Sequence, residues 1–393
     1  MTPSEKSVAK PFLDFYTTHN IIPTHQDISD IESHVFRRNY LYRTLGLPPS
    51  LLKNKRALEF GPGTGDNAIA TSMYGLDTYD FVDGNPSSVR ELRRKLDLGL
   101  IKANTTKVAE TNVYDYRDQV KYDLVIAEGI IPGQDRPKEF LNHIASFCTL
   151  GGIAVFTTTS YTSLLAEICR NVFRPAIVSE KKSFEQQVQI ASNIFRDHLS
   201  TFSVSTRSIE DWVTDNILHN WLVSHSQVFS LVDALDTFGD RFQFYSSSPR
   251  FLVDYRWYKS VRRASPDFNG IVREQYHNFS ALLLDYRVKQ ETIQRSQIDR
   301  EWALRLEELC KQAFDIHLII CHDQNFNSLM NFIDTLHSIS HILPAEMGET
   351  KSAITDYTHG IRKIARGEID HQFGAFRSWW GRGQQYASFV REV

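Results

Sequence analysis

The 393-residue sequence lacks several features that would assign a class of protein at once. Its four cysteines (Cys148, Cys169, Cys310 and Cys321) form no Cys-x-x-Cys pair. This argues against a disulfide scaffold and predicts reduced thiols in the core. No stretch approaches the ~20 apolar residues of a membrane-spanning helix. No basic segment followed by an apolar run opens the chain, so we expect no signal peptide and a cytoplasmic protein.

The sequence also has almost no net charge. It contains 44 Lys+Arg and 47 Asp+Glu, which gives a formal charge of -3. The chain therefore has no overall excess of positive charge that would favour binding to DNA or RNA. We expect no nucleic-acid partner. Aromatic residues are more plentiful, at 12%, which favours pockets or interfaces built from rings.

What the sequence does contain is a loop with glycine at alternate positions, Gly61, Gly63 and Gly65, between the apolar run ALEF and the helix-like DNAIATSMYG. Glycine tolerates positive φ and lets a ligand approach the backbone closely. Such a turn between a strand and a helix is typical of nucleotide binding. However, the spacing differs from the dinucleotide pattern Gly-x-Gly-x-x-Gly. Glu59, just before the loop, suits an ammonium group better than a pyrophosphate.

Short apolar runs alternate with helix-like segments over residues 55–160. The predicted strands are RALEF, TYDFVD, TTKVAE, YDLVIAEG and GGIAVFTTT. This alternation predicts an α/β fold with a doubly wound, mostly parallel sheet that is covered by helices on both faces. The carboxyl ends of such strands share one edge of the sheet, and ligands bind at that edge.

The segments outside this core are predicted to be mostly helical. Residues 1–54 read as a helical cap, 161–226 as a helical insert that serves as a substrate lid, and 260–393 as an all-α C-terminal domain through which the chain could form a homo-oligomer. Residues 227–259 read as the end of the α/β core. There, a helix that ends at Gly239 precedes a strand pair, RFQFY and FLVDYRWYK.

At four places the sequence resembles the class I methyltransferases that use S-adenosylmethionine (SAM). EFGPGTG is similar to the first motif of that family, and FVDGNP to its second-strand motif. TNVYD is similar to the adenine segment, and LVIAEGIIPGQ with LGGIAVFTT to the fourth and fifth strands. The resemblance implies a seven-stranded Rossmann-like sheet and SAM as the cofactor. The cofactor-binding residues that it implies are Glu59, Gly61, Gly63, Gly65, Asp83, Gly84, Asn112, Val113 and Glu128.

Within that set, the resemblance implies that Asp83 binds the two ribose hydroxyls of SAM. A carboxylate suits this role because it can accept two hydrogen bonds at once. Asn112 would bind the adenine amine, with Val113 beside the ring. Glu128, at the end of the fourth strand, is the candidate general base. The alternatives for Glu128 are that it holds the following loop or binds the SAM amine. Tyr114 and Asp115 are further candidates for the general base. His143 is not favoured for this role, because it is expected on the solvated face of a helix.

Two other groups of residues are candidates for the acceptor side. In the N-terminal helix, Arg37, Arg38, Tyr40 and Tyr42 could hold the cofactor carboxylate or line the acceptor site. The alternative is an ordinary amphipathic helix with Ile31, Val35, Leu41 and Leu45 on its apolar face. In the insert, Trp212, Asp215, Asn216, His219 and Trp221 could shape an acceptor pocket or simply pack a core.

The C-terminal third offers weaker candidates. Asp334, His337 and His341 share a helix face, as a metal site would require. The opposite apolar face and the missing His-Glu-x-x-His signature favour a solvated face, so no metal is expected. Trp379 and Trp380 are expected to pack the last helix, with a partner or acceptor contact as the alternative.

The leading hypothesis is a SAM-dependent methyltransferase that acts on oxygen or nitrogen of a small polar or saccharide-like acceptor. Methylation of a protein side chain is an alternative within the enzyme class. A SAM-binding scaffold subunit without activity and an NAD-type oxidoreductase are the alternatives from other classes. The intact glycine loop and Asp83 argue against the scaffold, and the glycine spacing argues against NAD.

Overall fold

The computed structural model describes residues 15, 16, 18, 19, 21, 26–202, 207–289, 298–368 and 373–392. Within them, seven strands form one sheet in the order β3-β2-β1-β4-β5-β7-β6. The strands are β1 (Arg56–Phe60), β2 (Thr78–Asp83), β3 (Val108–Glu110), β4 (Tyr122–Ala127), β5 (Cys148–Thr158), β6 (Phe242–Ser248) and β7 (Gln385–Arg391). The first five pair in parallel, and β7 runs antiparallel to both of its neighbours. The predicted α/β class is confirmed.

Helices cover this sheet and build a second layer beside it. The helices that precede or flank the sheet are α1 (Ile31–Thr44), α2 (Pro49–Leu52), α3 (Asp66–Ser72), α4 (Pro86–Asp97), α5 (Pro137–Ala145), α10 (Leu231–Phe238) and α11 (Phe268–Gln275). The others are α6 (Tyr161–Asn171), α7 (Arg174–Ile177), α8 (Phe184–Leu199), α9 (Ile209–Val213), α12 (Ser280–Leu284), α13 (Arg300–Asp323), α14 (Leu329–Ile342) and α15 (Gly348–Ala365). No helix of the described residues is long and apolar enough to cross a membrane.

The central strands bring the sequence motifs to one edge of the sheet. Residues Ala57 to Phe60 of β1 are all buried, as expected for a parallel strand that is covered on both faces. In the parallel register, Phe60 lies opposite Val82 of β2, and Glu59 lies opposite Ile126 of β4. The residues that follow these strands therefore meet at the carboxyl edge.

The strand pair predicted after the insert is only half correct. RFQFY lies largely in β6, but FLVDYRWYK contains no strand. The neighbour of β6 is β7, which comes from the end of the chain, where only helix was predicted. β7 enters the gap between β5 and β6, and its Phe389 stacks on Phe156 with ring centroids 5.3 Å apart. The backbone N–H of Val253 instead donates to the side chain of Gln275, so this segment is not hydrogen-bonded as a strand.

The predicted insert and the predicted C-terminal domain share one hydrophobic core. Leu165 of α6, Phe195 of α8, Phe314 of α13 and Tyr357 of α15 are fully buried in the same cluster. We therefore describe these helices as one helical region, joined to the sheet at the end of β5. The four cysteines are buried free thiols, as predicted.

The two adjacent tryptophans belong to this helical region as well. Trp379 and Trp380 are buried, but they precede β7 rather than pack a last helix. The guanidinium of Arg170 lies 3.5 Å from the centroid of the Trp380 ring. The Trp379 indole donates to the carbonyl of Leu284 at 3.0 Å. Both rings thus tie the approach to β7 to the helical core.

Candidate active site

The loop after β1 requires glycine for two reasons. Its backbone has positive φ values, and neighbouring side chains leave no space for a Cβ atom at two of its positions. Gly61, Gly63 and Gly65 have φ values of 64°, 56° and 78°, in the region that disfavours other residues. A Cβ atom on Gly61 would lie 2.6 Å from Cγ2 of Ile130, and one on Gly65 would lie 2.5 Å from Cδ1 of Leu92. The loop therefore exposes bare backbone at the carboxyl edge of the sheet.

Asp83, the last residue of β2, lies against this loop. Its Oδ2 accepts a hydrogen bond from Gly63 N at 3.1 Å, and its Oδ1 accepts one from Asn85 N at 2.7 Å. Each carboxylate oxygen retains an acceptor position. Burial raises the pKa of Asp83 to about 6. The carboxylate therefore has acceptor capacity for two further donors, as the two ribose hydroxyls would require.

Glu59 is a second buried carboxylate, on the strand that leads into the loop. It is 5% exposed and accepts a hydrogen bond from the Tyr79 hydroxyl. Burial, followed by the negative charge of Glu128, raises the pKa of Glu59 to about 7. A cationic group bound beside Glu59 would favour the ionised form.

Glu128 follows β4 and is held by a bidentate ion pair. Arg38 of α1 donates to its two carboxylate oxygens at 2.8 and 2.9 Å, and the two side chains are 9% and 7% exposed. Both oxygens of the Glu128 carboxylate are thus engaged by charge-assisted hydrogen bonds to the Arg38 guanidinium. The roles of Glu128 as general base, as support of the following loop and as ligand of the SAM amine all stay predictions. The contact that the structure shows joins Glu128 to Arg38 of α1.

The inward face of α1 differs from the predicted apolar face. His34, Arg38 and Tyr42 are buried at a spacing of four residues, whereas Ile31 is 36% exposed. His34 shares a hydrogen bond with the carbonyl of Asp66 at 3.1 Å. This face is polar because it covers the polar edge of the sheet. The spacing of four was present in the sequence and could have revealed it.

The other two candidates on α1 lie away from that face. Arg37 is half-buried, and Tyr40 is 68% exposed. The apolar Phe36, one turn before Tyr40, is 71% exposed. The outer face of α1 therefore presents aromatic rings to solvent.

Sequence reasoning missed a buried cluster that clamps the glycine loop. Asp66, the first residue of α3, accepts hydrogen bonds from the Thr64 hydroxyl at 2.6 Å and from Gln26 N at 3.0 Å. Lys95 of α4 forms an ion pair with Asp66 and donates to the Thr64 carbonyl. Burial by itself would raise the pKa of Asp66. The hydrogen bonds from Lys95 and Thr64 have the larger combined effect, so the pKa lies below its usual range. Only packing of α4 onto the loop reveals this pair.

The adenine segment is organised by short hydrogen bonds. Asn112 Oδ1 accepts from Tyr114 N at 2.9 Å and caps the turn Val113–Asp115. His143 shares a hydrogen bond with the Val113 carbonyl at 2.8 Å. The expectation of a solvated His143 was wrong, because its ring is half-buried and supports this turn.

The remaining residues predicted for this part of the site lie around the adenine segment. Gly84 is half-buried between Asp83 and Asn85. Tyr114 packs on Phe140 with ring centroids 4.7 Å apart, and Asp115 is exposed. Neither Tyr114 nor Asp115 contacts the Arg38–Glu128 pair through a hydrogen bond of the described residues.

Most candidates in the insert take part in packing. Asp215 accepts from the Tyr16 hydroxyl at 2.6 Å and pairs with Arg207 at 2.8 Å. Trp212 and His219 are buried, and Asn216 donates to the Trp212 carbonyl. These contacts favour the packing alternative for these four residues.

Trp221 reaches the loop that follows β4. A Cβ atom on Gly133 would lie 3.8 Å from Cε3 of Trp221. Gly133 N also donates to the Gln227 carbonyl at 3.0 Å. The insert therefore contacts the carboxyl edge of the sheet at this loop.

The Asp-His-His face of α14 is exposed at all three positions, Asp334, His337 and His341. His317, in contrast, is fully buried, and burial lowers its pKa to about 3. Across the part of the chain that the structure describes, no group of three His, Cys, Asp or Glu residues is placed to hold a metal ion.

The residues at the carboxyl edge fit SAM. The acceptor positions left on Asp83 match the ribose hydroxyls, and buried Glu59 matches an ammonium group. The Nε atom of Arg38 is buried and has no hydrogen-bond partner among the described residues, so it is available to an anionic group. The glycine loop has no side chains at Gly61, Gly63 and Gly65, so SAM can approach its backbone closely.

Comparison with known proteins gives a family match over part of the chain. Residues 32–223 match the family model of the methyltransferase domain. This match takes in β1 to β5 and the first part of the helical region. No curated protein matches the chain.

Solved structures of similar fold are distant. PKMT2 from Rickettsia typhi is 14% identical, with a TM-score of 0.39, and the match covers 66% of this chain and 52% of that chain. The N-methyltransferase NodS from Bradyrhizobium japonicum, solved with S-adenosyl-L-homocysteine, is 11% identical, with a TM-score of 0.30, and the match covers 38% of this chain and 76% of that chain. The chain spans about half the length of PKMT2. Neighbours this distant say nothing about the acceptor of this protein.

The glycine loop and Asp83 lie within the matched segment. The matched segment is slightly less than half of the chain. Residues 32–223 are thus similar to the methyltransferase domain, and the residues at the carboxyl edge fit S-adenosylmethionine as the cofactor.

Proposed function

We propose that the protein transfers a methyl group from SAM to oxygen or nitrogen of a small polar acceptor. The observation that carries this proposal is the crowding around the end of β4. Arg38 of α1 binds Glu128 there, and Trp221 packs beside Gly133. The side chain of Gln384 lies 3.7 Å from a Cβ position on Gly129. An edge enclosed from three directions suits a small molecule better than a side chain on a folded protein.

The chain contributes binding and orientation to this reaction. SAM supplies an electrophilic methyl group when it is bound. Asp83 offers acceptors to the ribose, and the Arg38–Glu128 pair anchors α1 over the edge. Buried Tyr42 of α1 excludes water next to Glu59 and Glu128. Holding two reactants in line and away from water lowers the barrier by several kcal/mol.

A saccharide-like acceptor is the narrower form of this proposal. It relies on Trp221, since an aromatic ring at the rim of a polar site can stack on a sugar face. Trp212 and Asn216 support it less, because their contacts lie within the insert.

Cofactor binding is the first test. Calorimetric titration should give micromolar affinity for SAM and S-adenosylhomocysteine and no binding of NADH. Asp83→Ala should weaken both ligands by about a hundredfold, because two hydrogen bonds to a charged group are lost. Asp97→Ala, at the exposed end of α4, is the matched control and should bind like the wild type.

Turnover is the second test. Release of S-adenosylhomocysteine is measured with panels of small amines, hydroxy acids, sugars and peptides. Turnover with a small molecule alone supports the proposal. Turnover with peptides alone would replace it with the protein-acceptor alternative, and tight binding without turnover on any panel would favour the scaffold.

A further inference from the structure

The segment that follows β6 holds aromatic rings out in solvent. It comprises residues 253–265, which we call the aromatic loop. Tyr255 is 90% exposed, Tyr258 74% and Trp257 65%, and these are three of the five most exposed large hydrophobic side chains among the described residues. A single exposed ring is ordinary on a protein surface, whereas a group of neighbouring rings marks an interaction site.

Hydrogen bonds fasten the aromatic loop to the body of the protein. Gln275, the last residue of α11, accepts from Val253 N at 2.9 Å and donates to the Val253 carbonyl at 2.7 Å. Arg256 donates to the Pro266 carbonyl at 3.0 Å, which closes the loop across its base. The rings between these contacts are therefore presented on a defined surface.

The aromatic loop also carries a concentrated positive charge. Four basic residues and one acidic residue, Asp254, leave it with a formal charge of +3, whereas the whole chain has a formal charge of -3. Asp254 is already neutralised by Arg256, which donates to it at 2.9 Å. The other three cations, Lys259, Arg262 and Arg263, are exposed and form no ion pair with a described residue. These three cations are available to an anionic partner.

Rings and cations share one surface of the loop. The Lys259 ammonium lies 5.2 Å from the centroid of the Trp257 ring and 5.8 Å from that of the Tyr258 ring. The two rings are 6.3 Å apart and almost perpendicular, at 81°. Perpendicular rings cannot both stack on successive bases of a single nucleic-acid strand. At a bilayer surface, in contrast, Trp and Tyr rings favour the headgroup region, and basic side chains beside them attract anionic headgroups.

We propose that the aromatic loop docks the protein on the surface of a bilayer that contains anionic lipids. The three rings enter the headgroup region, and the three unpaired cations face the anionic headgroups. Each cation contributes about fivefold in affinity, and the rings add the burial of apolar surface. The partner is therefore an anionic lipid surface that the protein binds without spanning it.

The aromatic loop is separate from the candidate active site. It follows β6, the outermost strand of the sheet, and β5 and β7 lie between β6 and β4. Docking through this loop is therefore independent of the glycine loop and of Glu128. The proposal goes beyond methyl transfer and does not depend on it.

The test is co-sedimentation of the full chain with vesicles of two compositions. One is phosphatidylcholine alone, and the other is phosphatidylcholine with about one quarter phosphatidylglycerol as the anionic lipid. The protein should bind the anionic vesicles at least about tenfold more tightly than the neutral ones. Added salt should weaken this binding, because it screens the attraction between exposed charges.

Two double variants separate the contributions of rings and charges. Trp257→Ala with Tyr258→Ala should weaken binding to the anionic vesicles by about tenfold or more, through lost apolar burial. Arg262→Gln with Arg263→Gln should weaken it by about tenfold or more and reduce its dependence on salt. All four side chains are exposed, so both variants should fold like the wild type.

Matched controls change exposed residues outside the aromatic loop. Phe36→Ala removes a ring of α1 that is 71% exposed. Lys102→Gln with Lys181→Gln removes two exposed cations. Both controls should bind the anionic vesicles like the wild type.

Three results would overturn the docking proposal. The first is equal binding to both vesicle compositions, and the second is unchanged binding in both double variants of the loop. The third is tighter binding to a single-stranded oligouridine than to the anionic vesicles, lost in the same variants, which would assign the loop to nucleic acid. Binding of S-adenosylhomocysteine, measured by calorimetry, should be unchanged in the loop variants, so each of these results leaves the proposed function standing.

Discussion

The cofactor half and the acceptor half of the site are built in opposite ways. In the cofactor half, short motifs after β1, β2 and β3 supply the residues, and Asp66, Lys95 and Thr64 bond one another beneath the loop. In the acceptor half, α1, α6 and the loop before β7 come from distant parts of the chain. In α6, the Oε2 atom of Glu167 is buried without a hydrogen-bond partner among the described residues. A cofactor shared by many enzymes permits a local motif, whereas an acceptor subsite depends on tertiary contacts.

The largest effect should come from crowding the cofactor half. Gly65→Ala would place a methyl group 2.5 Å from Leu92 at a φ of 78°. We expect S-adenosylhomocysteine affinity to fall by about a hundredfold or more, measured by calorimetry, because the loop must shift.

Gly239→Ala is the control for this change. Gly239 has a φ of 54°, and a Cβ there would meet nothing within 4 Å. It should lose about 1–2 kcal/mol of stability through backbone strain and keep its affinity. Equal loss of affinity in both variants would contradict the role given to the loop.

The ion pair that joins the two halves should be nearly as sensitive. Arg38→Met leaves Glu128 buried without its partner, and we expect a loss of about 3–5 kcal/mol in the free energy of unfolding, measured with urea. Adding Glu128→Gln should restore much of that stability, since the uncompensated charge is gone. A double variant no more stable than Arg38→Met would show that the pair is not the main contact of α1.

The cofactor half should also respond to pH in a defined direction. The pKa values of Glu59 and Asp83 are raised to about 7 and about 6. A raised carboxyl pKa contributes stability that is complete below the unfolded value and is lost as pH rises through the folded value. The Tm of the ligand-free protein should therefore fall as pH rises from about 4, near the ordinary carboxyl pKa values, to about 7, the raised pKa of Glu59.

Affinity for SAM should change in the other direction. Its ammonium and sulfonium groups favour ionised Glu59, so affinity should weaken as pH falls from 8 to 6, through the pKa of about 7. Calorimetry in buffers of different ionisation enthalpy should detect proton release near pH 7. Glu59→Gln should abolish that release, and proton uptake on binding would refute this account.

The smallest effect is expected far from both halves. His337→Ala changes an exposed residue of α14 and should alter the free energy of unfolding by less than about 0.5 kcal/mol. Addition of Zn²⁺ should leave the Tm of the wild type unchanged. A Zn²⁺-dependent rise in Tm that is lost in His337→Ala would revive the metal site on this face.

Several errors of sequence reasoning share one cause. On α1, the spacing of Ile31, Val35 and Leu41 suggested an apolar face, yet His34 and Arg38 are buried because they cover a polar edge. FLVDYRWYK has strand-like residues but no strand partner, since β7 takes the position beside β6. His143 was placed in water, although the turn at Val113 covers its ring. Local pattern does not report which surface a segment will meet.

Sequence alone determined the framework of the cofactor half, although the Asp66–Lys95 pair beneath the glycine loop emerged only from the packing of α4. The strands, the glycine loop and Asp83 are specified by local patterns, because apolar runs bury on both faces and positive φ demands glycine. Tertiary structure decided the acceptor half. The pairing of Arg38 with Glu128 and the entry of β7 into the sheet depend on long-range contacts. Those contacts join segments up to hundreds of residues apart, and no local periodicity encodes them.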